Sequence, residues 1–146
     1  MLDIRAYQSA DEKAVVELWN MAFAAAPPTD PPAEDIHRKL AVQPELFLVA
    51  YQETVLAGTA MGGYDGHRGW VYYVAVRPNF RRRGIGTSLM AVLQEKLRAL
   101  GCVKINLQVL ASNRTACAFY RKLGYLEEER VSMGKRLDAA PAHQRR

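Results

Sequence analysis

Several features that whole classes of protein require are missing from this sequence of 146 residues. No apolar run approaches the roughly 18 to 20 residues that span a bilayer, and the opening stretch MLDIRAYQSADEK has no signal-peptide character. The two cysteines, Cys102 and Cys117, have no CxxC spacing, and the three histidines have no metal-ligand spacing. We therefore expect a cytoplasmic protein with free thiols, no metal and no membrane partner.

The sequence contains enough hydrophobic residues to form one core. Hydrophobic residues make up 49% of it, and a chain of this length fits one domain. We expect that domain to span residues 1–137, with residues 138–146 as a flexible tail. The net charge of +5 favours an anionic ligand but is too small to indicate nucleic acid.

The periodicity of the apolar residues predicts an α/β fold. Alternation predicts strands in LDIRAY, LFLVAYQ, TVLAGTAMGG and KINLQVL, and WVYYVAV, apolar on both faces, should be a central strand. WVYYVAV, the helical stretch after it and KINLQVL form a strand–helix–strand unit, whose strands should be parallel. Short turns join the other strands, which should pair antiparallel. We expect a mixed, mostly antiparallel sheet with helices on both faces.

Residues 81–89, RRRGIGTSL, test two nucleotide-binding classes. Gly84 and Gly86 match the first two glycines of the dinucleotide fingerprint GxGxxG, but Leu89 stands where the third belongs. The next predicted strand has no acidic residue to bind a ribose hydroxyl, and the GxxxxGK[ST] pattern of nucleotide hydrolases is absent. Both classes are excluded.

The same stretch has the physical properties of an anion site. Its glycines allow a tight turn and a close ligand approach, and the helix that follows directs free N–H groups and a positive dipole end at the ligand. The preceding arginines add charged donors. The pattern favours a pyrophosphate on a long ligand, and a solvated basic turn is the alternative. A nucleic-acid surface is disfavoured, because the basic run is short and has no interleaved aromatic residues.

Two motifs carry a resemblance to a known family. VAVRPNFRRRGIGTSLM resembles the acetyl-CoA motif of the GNAT family of N-acetyltransferases, whose pattern is [QR]-x-x-G-x-[GA]. ASNRTACAFYRKLGY is similar to the family's next motif, an asparagine that caps a helix followed by Tyr and Leu-Gly-[FY]. The resemblance covers about residues 2 to 137. GGYDGHRGWVYY also resembles a subgroup of small bacterial members whose substrates are unsettled.

The resemblance implies the GNAT fold, with a central pair of splayed parallel strands, and acetyl transfer from acetyl-CoA to a primary amine. The pantetheine arm should contact the main chain of Val74, Ala75 and Val76. The pyrophosphate should be bound by the N–H groups of Arg82, Arg83, Gly84, Ile85, Gly86 and Thr87, with Arg81 adding charge. Asn113 should hydrogen-bond the pantetheine. Tyr120 should place its hydroxyl near the thioester sulfur and protonate the leaving thiolate, unless it is simply a core aromatic residue.

The general base does not follow from the resemblance. Members that acetylate the N-terminal alanine of ribosomal proteins carry a glutamate where this chain has Gln108, and an amide accepts no proton at neutral pH. His67 is our catalytic candidate, because an imidazole has an ordinary pKa of about 6.5. Asp65 and a water relay are the alternatives. Either Tyr72 or Tyr73 could also order a water or shape the acceptor pocket.

The missing carboxylate at Gln108 motivates a second interpretation, a catalytically silent acyl-CoA-binding module. For the enzyme, we expect direct transfer in a ternary complex rather than an acyl-enzyme on Cys117. The acceptor would be a small-molecule or peptide amine, and the protein a monomer or homodimer without a nucleic-acid partner.

Overall fold

The computed structural model of the protein describes residues 1–25 and 27–138. The chain divides into two compact units, residues 1–108 and the residues from 109 onwards. The predicted tail lies outside the described residues except for Asp138. The single domain over residues 1–137 stays a prediction.

The described residues of the first unit form five strands and three α-helices. In chain order they are β1 (Leu2–Ala6), α1 (Glu12–Ala22), α2 (Pro32–Leu40), β2 (Phe47–Gln52), β3 (Val55–Tyr64), β4 (Gly69–Val76), α3 (Ile85–Ala99) and β5 (Ile105–Leu107). The second unit contains α4 (Arg114–Lys122). None of the described helices combines the length and the apolar character needed to cross a bilayer.

The strands form one sheet in the order β1-β2-β3-β4-β5. The first four pair antiparallel and β5 joins β4 in parallel, so the predicted mixed sheet is confirmed. The β4–β5 pairing is short: it runs from Gly69 opposite Ile105 to Val71 opposite Leu107. Within residues 1–108, the remainder of β4 therefore extends beyond its parallel neighbour.

Helix α3 packs on one face of the sheet, where β3 presents glycines. A Cβ atom at Gly58 would lie 2.8 Å from the carbonyl oxygen of Ala75 and 3.1 Å from Leu89. One at Gly62 would lie 2.7 Å from Leu93. The glycines therefore let the leucines of α3 lie against the backbone of β3, and Gly58 also lets the Ala75 carbonyl of β4 approach closely.

Helix α1 packs on the opposite face. Its residues Leu18 and Trp19 are completely buried in a core that includes Phe47 of β2 and Met61 of β3. The indole of Trp19 reaches β3, where it donates a hydrogen bond to Thr59. The predicted helices on both faces are therefore confirmed.

The close contact of Gly58 with the Ala75 carbonyl of β4 leads to a prediction about stability. Gly58→Ala is expected to lower the free energy of unfolding by about 1 to 3 kcal/mol, because the new methyl group would meet a backbone oxygen that can move only if β4 distorts. Urea unfolding followed by circular dichroism measures the change.

Gly63→Ala is the matched control on the same strand. The nearest atoms to a Cβ there are ordinary contacts at 3.7 and 3.8 Å, to Gln43 and Lys39. We expect a change within about 0.5 kcal/mol. Equal losses in the two variants would contradict the close packing of Gly58 against the Ala75 carbonyl and α3.

Candidate functional site

The loop between β4 and α3 turns through two residues with left-handed backbone conformation. A short 3-10 turn, Pro78–Phe80, follows β4, and then Arg82 and Gly84 have φ angles of 67° and 76°. Gly84 is the N-cap of α3. Nothing lies within 4 Å of a Cβ built at Gly84, so its backbone angle, and not crowding, favours glycine there. Gly86 lies inside the helix and is buried.

The start of α3 carries a row of backbone donors. The first helical N–H with an acceptor is that of Ser88, which donates to the Gly84 carbonyl at 2.9 Å. For the six N–H groups of residues 82–87, no acceptor is present among the described residues. Unpaired donors at the positive end of a helix bind anions. This donor set fits a pyrophosphate without a metal.

Three arginine side chains surround this helix start. Arg81, Arg82 and Arg83 are exposed, and none of them forms an ion pair with another described residue. The guanidinium of Arg83 lies 5.1 Å from the centre of the Phe80 ring. The charges thus add to the backbone donors without being neutralised by a carboxylate.

The predicted pantetheine strand β4 contains a bulge. Thr59 of β3 pairs with Ala75 and Met61 pairs with Tyr72, so Tyr73 and Val74 together face a single residue of β3. Tyr73 has a φ angle of 52°, which bulky residues seldom adopt. Neither Tyr73 nor Val74 has a register partner in β3. A bulge can release main-chain groups from the ladder, which suits the predicted role of Val74.

His67 and Asp65 lie before the first residue of β4, in the β3–β4 loop. Asp65 accepts hydrogen bonds from the backbone N–H groups of His67 and Arg68, each at 2.7 Å. These bonds hold the pKa of the Asp65 carboxyl below its usual range, with that from Arg68 contributing most. Val74 is five strand residues beyond Gly69, a distance of about 16 Å. The structure therefore does not bring the two candidate bases to Val74.

In the second unit, Asn113 caps α4 as the sequence predicts. Its side-chain oxygen accepts a hydrogen bond from the N–H of Ala116 at 3.1 Å. Its amide nitrogen is then available to donate to a ligand.

Tyr120 lies on the same helix. Burial, with a smaller contribution from Tyr125, raises the pKa of the Tyr120 phenol to about 12. The rings of Phe119 and Tyr125 meet it edge-on, at centroid distances of 5.0 and 5.8 Å. The hydroxyl therefore stays protonated at physiological pH and can act only as a donor to an anionic group.

A pocket of about 420 Å³ opens between α2 and strands β3 and β4, and Lys39, Trp70, Tyr72 and the candidate base Asp65 are among its lining residues. Tyr72 directly precedes the bulge, so the pocket adjoins it. Lys39 donates to the Gly62 carbonyl, and burial lowers the pKa of its ammonium group. The aromatic wall suits the apolar part of a small ligand. Among the described residues, no group of three or more His, Cys, Asp or Glu is placed to hold a metal.

Sequence reasoning missed the bulge and the side chains that hold it. Trp19 and Tyr73 stack at 3.8 Å between ring centres, and Thr59 donates to the Tyr73 carbonyl at 2.8 Å. A threonine within the apolar run VLAGTAMGG is the one available signal. Its partners are too distant in the sequence to be identified from periodicity.

Comparison with known proteins identifies the family. The model of the acetyltransferase (GNAT) family matches residues 12–125. An acetyltransferase of Yersinia enterocolitica is 43% identical over 136 residues, which cover 93% of this chain and 96% of that protein. An acetyltransferase of Pectobacterium atrosepticum is 44% identical over the same shares of the two chains.

Solved acetyltransferases have the same fold. The ribosomal-protein-S18-alanine N-acetyltransferase of Escherichia coli superposes with a TM-score of 0.71 at 25% identity, over 88% of this chain and 79% of that one. The enzyme AAC(6')-Iy, in complex with a bisubstrate analogue of CoA, superposes with a TM-score of 0.77 at 21% identity. The superposition covers 93% of this chain and 98% of that one. This chain belongs to the GNAT family of acetyltransferases.

Proposed function

We propose that the chain transfers the acetyl group of acetyl-CoA to a primary amine, by direct attack of the amine on the thioester in a ternary complex. The observation that carries this proposal is the row of six unpaired N–H groups at residues 82–87. Such a row suits a pyrophosphate, which is one of the anionic groups of acetyl-CoA. Membership of the GNAT family supports acetyl-CoA as the donor.

The pantetheine arm follows the main chain of Val74, Ala75 and Val76 in this proposal. Two observations support it. The parallel pairing of β4 with β5 ends at Val71, so these residues lie beyond it. Asn113, whose oxygen caps α4, retains an amide nitrogen that can donate to the pantetheine.

Catalysis needs a donor for the oxyanion and another for the leaving thiolate. We assign the first to the N–H of Val74 beside the bulge, and the second to the hydroxyl of Tyr120. A thiol has a pKa of about 8.5, so full proton transfer from a phenol of pKa about 12 is uphill by roughly 5 kcal/mol. Tyr120 therefore stabilises the thiolate through a strong hydrogen bond, and solvent delivers the proton.

The amine must lose a proton before or during its attack. His67 and Asp65 lie at the far end of β4 from Val74, and Gln108 is an amide. Asp65 does line the pocket beside Trp70 and Tyr72, but its carboxylate already accepts hydrogen bonds from two backbone N–H groups. The carboxylate of Asp35 accepts hydrogen bonds from Tyr73 and Arg38. We therefore propose that water removes the proton from the amine, which requires no side chain as general base.

The acceptor approaches on the face of the sheet that carries α1 and α2. The pocket beside Trp70 and Tyr72 supports this assignment, because it adjoins the bulge and offers an apolar wall. We propose a small molecule or a peptide terminus with a primary amine and an apolar part that occupies this pocket.

The replacement of a carboxylate by Gln108 favours one other function, a silent module that binds acyl-CoA. Release of free CoA separates the two, because both bind acetyl-CoA but only an enzyme releases thiol when amines are added. The test incubates the protein with acetyl-CoA and a broad library of amines, and a thiol-sensitive dye measures the free CoA that is released. Tight acetyl-CoA binding without thiol release on any amine would favour the module.

The positive φ angle of Gly84 leads to a prediction about the affinity for acetyl-CoA. Gly84→Ala is expected to weaken acetyl-CoA binding at least tenfold, because a side chain strains the positive φ angle on which the turn into α3 depends. Isothermal titration calorimetry measures the dissociation constant.

Gly66→Ala provides the matched control. Gly66 also has a positive φ angle, 91°, and a Cβ added there would meet nothing within 4 Å. The two variants should lose similar stability, but Gly66→Ala should bind acetyl-CoA as the unaltered protein does. Equal loss of affinity in both would refute a specific role for the loop.

Tyr120→Phe should lower kcat about 10- to 100-fold, the value of one hydrogen bond to a charged group. Acetyl-CoA affinity should change less than threefold, because the thiolate forms only during the reaction. Since the pKa of Tyr120 is about 12, the kcat–pH profile of the unaltered enzyme should show no loss from its ionisation below about pH 11.

The control for this variant is Tyr125→Phe, which removes the hydroxyl of the neighbouring ring. We expect less than a threefold change in kcat. Unaltered kcat in Tyr120→Phe would show that the Tyr120 hydroxyl does not assist the leaving thiolate.

A further inference from the structure

A buried chain of hydrogen bonds ends at the β4 bulge. The indole N–H of Trp19 donates to the Thr59 hydroxyl at 2.9 Å, and that hydroxyl donates to the carbonyl of Tyr73 at 2.8 Å. Trp19 and Thr59 are both fully buried. The chain links α1 through β3 to the one residue of β4 whose φ angle is positive.

The unusual backbone of Tyr73 is fixed by contacts at three points. Its carbonyl accepts from Thr59, its ring stacks on Trp19 at an interplanar angle of 8°, and its hydroxyl donates to Asp35 at 2.6 Å. A bulky residue keeps a left-handed conformation only where its surroundings determine it. Trp19 contributes twice, once through its ring and once through Thr59.

The need to fill space in the core does not explain why residue 59 carries a hydroxyl. Thr59 is as fully buried as Ala57 and Ala60 of the same strand. A valine, which has nearly the same shape as threonine, would fill the space without a polar group. A buried hydroxyl is tolerated where it satisfies other polar groups. Here it accepts from the Trp19 indole and donates to a carbonyl whose residue has no register partner in β3.

We propose that Trp19 and Thr59 are positioning residues for acetyl transfer. Acting through the carbonyl of Tyr73, they hold the bulge so that the N–H of the next residue, Val74, points at the thioester carbonyl oxygen. This inference rests on the proposed function, in which that N–H stabilises the oxyanion. It adds two residues that touch neither substrate.

The experiment compares the amide resonance of Val74 in the CoA complex with that in the acetyl-CoA complex. The two ligands differ only in the acetyl group, so a difference at Val74 reports the N–H contact with the acetyl carbonyl. No acceptor amine is needed. Dissociation constants measured on the same samples report the binding of the rest of the ligand.

Thr59→Val keeps the shape of the side chain and removes both hydrogen bonds. We expect it to abolish the Val74 difference while the acetyl-CoA dissociation constant changes less than threefold. Thr59→Ser retains the hydroxyl and should keep the difference. Leu97→Val is a core substitution near the C-terminal end of α3. It should lower the melting temperature and leave the difference in the Val74 resonance intact.

Two results would overturn the proposal in distinguishable ways. If the unaltered protein shows the Val74 difference and Thr59→Val retains it, the positioning role is wrong and the proposed function stands. If the unaltered protein binds acetyl-CoA without any difference at Val74, the oxyanion role fails and the positioning role fails with it. If Thr59→Val does not fold, Trp19→Phe takes its place, because it keeps an aromatic ring but lacks the indole donor. The Val74 difference is then measured in that variant, and the same two results would overturn the proposal.

Discussion

The close approach of α3 to the glycine face of β3 is the constraint on which the rest of the structure depends. A methyl group would lie 3.1 Å from Leu89 at Gly58 and 2.7 Å from Leu93 at Gly62, so these leucines of the helix lie directly on the glycine backbone. That contact positions the start of α3 just after the end of β4, where the N–H groups of residues 82–87 have no acceptor in the described part of the chain and are proposed to bind an anion. The charge of the nearby arginines is secondary, because the direction of the donors is set by the backbone.

The opposite face of β3 contacts α1 and the bulge of β4. There Thr59 and Trp19 hold a strained residue of β4 in place, and the bulge leaves Val74 outside the register of the antiparallel ladder. One strand therefore contacts both parts of the site. Its glycine face packs against the helix proposed to bind the phosphates, and its other face supports the main chain proposed to contact the thioester.

Most of the fold could be predicted, because strand alternation and the glycine loop are local signals. The strand–helix–strand unit, the start of α3 and the Asn113 cap lie where the sequence indicates. The bulge could not be predicted, since the φ angle of Tyr73 is set by residues distant in the sequence. The ordinary chemistry of an imidazole makes His67 a candidate base, but its place before β4 separates it from Val74. The pKa of Tyr120 also depends on burial, which no motif reports.

The proposed function depends above all on the backbone N–H groups of residues 82–87, which we propose bind the pyrophosphate of acetyl-CoA. Titration of ¹⁵N-labelled protein with CoA, and separately with pantetheine, which lacks the phosphates, tests it most directly. We expect these amide resonances to move downfield with CoA and to stay in place with pantetheine. Saturable CoA binding that leaves all six amides unmoved would contradict it.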